Sequence, residues 1–120
     1  MKIKALDHVA LHVQNLEYSV VFYGELLRLE PLPRPDFDFQ GAWFRIGTRQ
    51  ELHLIADRHL PVHSHARGTH FAMEVDDIEA WDRYLSNEEV ERSQIRLRPD
   101  GARQIFVADP DGHWIELVQQ

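Results

Sequence analysis

The chain nearly repeats itself, and the repeat places metal-capable side chains at matching positions in its two halves. His8-Val9-Ala10-Leu11-His12-Val13 aligns with His70-Phe71-Ala72-Met73-Glu74-Val75 at an offset of 62, and Leu52-His53-Leu54-Ile55 aligns with Ile115-Glu116-Leu117-Val118 at an offset of 63. The offset of 62 also sets Trp43-Phe44 over Ile105-Phe106, and Glu17 and Phe22 over Glu79 and Tyr84. Two copies of one supersecondary unit are the simplest fold for such a chain. Units of about 60 residues bury little apolar surface alone. The expectation is therefore one domain over 1–120, with module 1 at about 1–56, a connection at 57–68 and module 2 at about 69–120.

Hydrophobic residues make up 43% and charged residues 28%, the balance of a globular domain rather than of a disordered segment. The net charge is −7 and the arginines and lysines are scattered, which argues against a nucleic-acid footprint. Without cysteine there is neither a disulfide framework nor a thiolate metal site, so any metal must be held by nitrogen and oxygen. No apolar run approaches the roughly 20 residues of a membrane helix. Met1 to Leu6 lacks the apolar stretch of a signal peptide. A cytoplasmic protein without membrane partners is expected.

Alternation of Leu6, Val9, Leu11 and Val13 with more polar positions predicts a strand over 6–13. Leu16, Val20, Phe22, Tyr23, Leu26 and Leu27 recur at helical spacing and predict a helix over 16–29, capped by Asn15. Pro31, Pro33 and Pro35 cannot continue that helix, so 30–35 is expected to be an extended connection or an edge strand. A short strand at 36–40 and longer ones at 41–47 and 50–56 complete the first half. In the second, 69–75 repeats the first strand, and Asp76-Asp77 caps a helix carrying Ile78, Trp81, Tyr84 and Leu85. Strands are expected at 94–98, 104–108 and 113–119, the last two joined by the strong turn Asp109-Pro110-Asp111-Gly112. Each half reads βαβββ, an α+β fold.

Side chains alternate across a strand, so His8 and His12 share one face, as do Glu51 and His53, His70 and Glu74, and Trp114 and Glu116. If the two helices cover the apolar faces, the mixed faces line a concave sheet surface on which His8, His53, His70 and Glu116 aim at one point. Three imidazoles and a carboxylate suit one divalent ion: Ni(II), Co(II), Fe(II), Mn(II) or Zn(II). A lone histidine on a half-buried strand is more often a hydrogen-bonded structural residue, and the repetition is what favours ligation here. His59, His63 and His65 lie in the connection and are expected in solvent.

These residues resemble the vicinal oxygen chelate superfamily, the group of glyoxalase I, fosfomycin-resistance and bleomycin-resistance proteins and extradiol dioxygenases. Leu6-Asp7-His8-Val9-Ala10-Leu11 is similar to its opening strand, Phe22-Tyr23 with Leu26-Leu27 to its first helix, and Asp109-Pro110-Asp111-Gly112-His113-Trp114-Ile115-Glu116 to its closing DPDG-x-x-x-E motif. The resemblance implies two tandem βαβββ modules forming an incomplete barrel around a metal site. It implies His8, His70 and Glu116 as ligands, with His53 at the fourth position, where glyoxalase I carries a glutamate. It also implies a homodimer.

The chemistry so implied is bidentate chelation of a small substrate, anionic ones included, through adjacent oxygens by a lyase or isomerase of glyoxalase-like type. His53 and Glu116 are the candidate catalytic residues; if His53 is not a ligand it is the best base, since an imidazole ordinarily titrates near neutrality. Trp114, Arg103, His12 and Glu74 are the candidate substrate-binding residues, and Trp43 is expected in core packing. Two rivals remain: an extradiol-type non-haem iron dioxygenase, which uses two histidines and a carboxylate, and a metal-free drug- or metabolite-binding protein.

Overall fold

In the computed structural model, which describes residues 1–120, the chain forms two compact units, Met1–Leu60 and Pro61–Gln120. Each is one βαβββ module, as the repeat predicts. The first unit runs β1 (His8–His12), α1 (Leu16–Val21), β2 (Glu30–Leu32), β3 (Gly41–Ile46) and β4 (Gln50–Ile55). Its sheet has the order β1-β4-β3-β2, with β1 parallel to β4 and the other pairs antiparallel. Asn15 caps α1 by accepting from the Tyr18 amide at 3.1 Å.

The helix expected over 16–29 changes character half-way. After Val21 the backbone widens into a π-turn over Phe22–Leu26, closed by Leu27 N–H to Phe22 C=O at 2.9 Å. Phe22, Tyr23 and Leu27 are all buried, and the wider turn gathers them onto a narrower face than 3.6-residue spacing would. The three-residue strand is Glu30–Leu32, and 36–40 forms none. Proline explains the placement: a residue without an N–H is tolerated at a sheet edge, and Pro31 pairs with Phe44 on the outermost strand.

The second unit runs β5 (Phe71–Glu74), α2 (Ile78–Leu85), β6 (Arg96–Leu97), β7 (Arg103–Ala108) and β8 (Trp114–Gln119), in the sheet order β5-β8-β7-β6. Asp77 caps α2 through the Ala80 amide at 3.0 Å. The strand expected over 94–98 contracts to two residues. Between β7 and β8 the Asp109 carboxylate accepts from the amides of Asp111 at 2.9 Å and His113 at 2.8 Å, while Gly112 takes φ +90°. A side chain at Gly112 would be strained there.

Register repeats between the units. Ala10 pairs with His53 and Trp43 with His53; Ala72 pairs with Glu116 and Phe106 with Glu116. His53 and Glu116 thus occupy the same place in two copies of one sheet. Leu11, Val13, Phe44, Leu52 and Leu54 form the core of the first unit, and Met73, Ile78, Leu85, Ile105, Ile115 and Leu117 that of the second.

Candidate metal centre

Glu116 is 5% exposed in the middle of β8. A carboxylate so buried is costly unless its oxygens are satisfied. Oε1 accepts from the Gln104 side-chain amide, a diagonal neighbour on β7. Oε2 lies 3.5 Å from His70 Nε2. The His70 ring is fixed from its other side by Nδ1–H, which donates to Gly68 C=O at 3.2 Å. A carbonyl only accepts, so in the neutral imidazole Nε2 keeps its lone pair and turns it toward a carboxylate oxygen. Two lone-pair atoms facing each other, one of them on a buried carboxylate and the other on a partly exposed ring, call for a cation between them, a proton or a metal ion. The ring also stands edge-on to Phe106, with centroids 5.4 Å apart.

The first unit repeats the device. His8 Nδ1 donates to Asp7 Oδ2 at 2.8 Å, which leaves Nε2 as the free donor atom. The same hydrogen bond holds the Asp7 carboxyl below its ordinary range. His53 is turned the other way. Its Nε2 bonds Glu51 Oε1 at 2.9 Å, and because an ionised carboxylate only accepts, the proton sits on Nε2 and Nδ1 carries the lone pair. Arg45 Nη1 stands 3.6 Å from the other Glu51 oxygen. The His53 ring lies between Trp43 (3.9 Å, 2° between planes) and His8 (4.1 Å, 18°). Nitrogen lone pairs lie in the ring plane, so stacked imidazoles present them side by side rather than at one point. That arrangement suits a held base better than a co-ligand of His8.

Trp43, expected in the core, is half-buried on the His53 face. Its register opposite His53 decides this: cross-strand partners share a face. Arg103, expected to bind substrate, is on the helix face. Its guanidinium donates to Glu79 Oε1 at 2.8 Å and Gln119 Oε1 at 3.0 Å. Parity is the reason: Arg103, Ile105 and Val107 point one way, and Gln104 and Phe106 the other, toward Glu116. The arginine that reaches that second face is Arg96, 5.5 Å over the Phe106 ring. Trp114 does share the Glu116 face of β8 and stands 6.1 Å from the His65 ring. His12 bonds Ala56 C=O through Nε2 at 2.9 Å, and Glu74 is exposed at the end of β5.

Each unit by itself therefore offers one pair, His8 with His53 and His70 with Glu116, and within neither unit do three His, Asp or Glu side chains come together as a metal-holding group. The sequence pattern gave no role to Gln104, Asp7 and Gly68, which orient the donors, nor to Glu51. For Glu51 the signal was present, because its parity with His53 put both on one face; for Gly68 and Gln104 only the folded register brings them to the histidine and the glutamate.

A family model described as the Glyoxalase/Bleomycin resistance protein/Dioxygenase superfamily matches residues 5–117. The uncharacterized protein YwbC of Bacillus subtilis is 28% identical over 128 residues, covering 98% of each chain. Metallothiol transferase FosB of Staphylococcus epidermidis is 30% identical over 122 residues, covering 98% of this chain and 82% of that one. The crystal structure of the glyoxalase family protein from Enterococcus faecalis matches with a TM-score of 0.79 at 28% identity, over 98% of this chain and 99% of that one.

Proposed function

The chain belongs to the glyoxalase/bleomycin resistance protein/dioxygenase superfamily, and from that premise we propose that it is a divalent-metal-dependent enzyme of glyoxalase-like type, a lyase or isomerase acting on a small substrate with adjacent oxygens. One observation carries the reading: a buried carboxylate oxygen of Glu116 faces the lone pair of His70 across 3.5 Å. The donor chemistry fits a divalent ion, with His8, His70 and Glu116 as its proposed ligands. When bound, such an ion supplies Lewis acidity that neutralises charge developing on the substrate's oxygens. The remaining roles belong to the chain. Asp7 and Gly68 fix the two ligand rings with Nε2 outward, and Gln104 holds the Glu116 carboxylate. His53 takes or returns a proton at Nδ1 while Glu51 holds its Nε2–H, and Trp43 keeps water from one face of the ring.

The relative named metallothiol transferase supports metal dependence for this chain. The test is turnover of hemithioacetals formed from glutathione and 2-oxoaldehydes by metal-loaded protein. Product formation that disappears on chelation and returns with metal is expected. Ligand binding that survives chelation, with no turnover under any metal, would overturn the proposal in favour of a binding protein. A second reading is favoured by the Glu51–His53 bond: with His53 outside the ligand set, two histidines and one glutamate remain, the set of an extradiol dioxygenase. Ring cleavage of catechols by the Fe(II) protein in air would select it.

A further inference from the structure

Beside the His53 face, the segment between β2 and β3 carries two aromatic rings that packing does not hide. Phe37 and Phe39 are 43% and 44% exposed, unusual for large apolar side chains a few residues from a sheet. They stack on each other with centroids 5.1 Å apart and planes 23° apart. Phe37 in turn lies 6.1 Å from Trp43, and Trp43 lies flat on His53 at 3.9 Å. Four rings thus form an unbroken path from the exposed loop to the side chain proposed to move protons.

The rings are held in place. The Arg34 guanidinium sits 4.8 Å from the Phe37 centroid and 4.9 Å from the Phe39 centroid, and Nη2 donates to Phe39 C=O at 2.8 Å. Its Nε is shielded from water without an acceptor, so the cation's contacts with the ring faces offset part of the cost of its position. Arg34 can approach because residue 41 is glycine: a Cβ there would stand 3.0 Å from Nε and Nη2. The same loop lines a shallow, largely open depression of about 520 Å³ that Leu16, Asp36 and Asp38 also border, an area on which a single ring system can rest.

We propose that Phe37, Phe39 and Trp43, fixed by Arg34, form a stacking subsite that selects substrates bearing a planar aromatic group next to their chelating oxygens. This rests on the reading that substrate binds on the His53 face. A saturated ring of equal size fills the same volume but lacks the flat π-face, and offset stacking alone distinguishes the two by about three- to tenfold.

Calorimetry with mandelate and hexahydromandelate, which share the same adjacent oxygens and differ only in the ring, tests the subsite in metal-loaded and metal-free protein. Wild type is expected to bind mandelate about three- to tenfold more tightly, with intermolecular NOEs from its ring protons to Phe37 and Phe39. Phe37→Leu/Phe39→Leu is expected to bind both ligands alike. Equal affinities in wild type, no binding of either ligand, or NOEs elsewhere would overturn the subsite. A change of oligomeric state in the double variant with ring preference intact would overturn it too, identifying the rings as an interface between copies. Ring preference that persists while added metal tightens neither ligand would sink the metal reading and leave the subsite standing.

Discussion

Which nitrogen each histidine offers is decided by its neighbours. Asp7 and Gly68 accept hydrogen bonds from Nδ1–H of His8 and His70, and Glu51 accepts one from Nε2–H of His53. Glu51→Gln removes the carboxylate that orients the proposed base, so turnover is expected to fall about 10–100-fold with metal content unchanged. Metal lost along with activity would instead make His53 a ligand. Away from the site, Arg98 grips Asp100 at 2.7 Å and 2.8 Å, and that hydrogen-bonded pair lowers the Asp100 carboxyl to about 2 from an ordinary 3.8. A pKa depressed on folding means that the pair stabilises the fold above the ordinary value and stops doing so as pH falls through about 2. A carboxyl-carbon NMR titration is expected to find that midpoint, and Arg98→Ala to return it toward 3.8. The pair is solvent-accessible, so water screens that contribution to a small one, and Arg98→Ala is expected to lower the melting temperature only slightly.

Among the elements, β3 begins where the sheet leaves no room. A Cβ at Gly41 would lie 2.3 Å from the Leu54 carbonyl oxygen, which the β3–β4 ladder holds in place. Gly41→Ala is expected to cost about 1–3 kcal/mol in urea unfolding, whereas Gly101→Ala, with open space around it, pays only for its backbone angle. The strands were legible because alternation reports a half-buried face directly, and the helix caps because Asn15 and Asp77 are cap chemistry. The π-turn was not, since Phe22, Tyr23 and Leu27 share a face at ordinary helical spacing too, and the pattern alone does not separate the two turns. Of the two readings open for the proline-rich 30–35, the structure takes the edge strand, at Glu30–Leu32, while the short strand expected at 36–40 does not form. For the site, parity gave the faces of His53 and Glu116, but Arg103 was drawn to the helix side by the same alternation, and Trp43 could be placed only through its register with His53.

For the molecule as a whole, the internal repeat has diverged in chemistry while keeping its register. Position 53 carries a histidine held by glutamate, and position 116 a buried carboxylate held by an amide. No helix is long and apolar enough to cross a membrane, and the net charge of −7 favours cations over polyanions. A ligand that binds only the native state adds stability by mass action, about 2.7 kcal/mol at a hundredfold excess over its dissociation constant. Divalent metal is therefore expected to raise the melting temperature of wild type and not of Glu116→Ala. The most direct measurement is the metal content of untagged wild type beside His70→Ala and Glu116→Ala after reconstitution with Ni(II), Co(II), Fe(II), Mn(II) or Zn(II). The account predicts about one tightly held ion per chain in wild type and none in either variant. Equal occupancy in all three, or none in any of them, would contradict it.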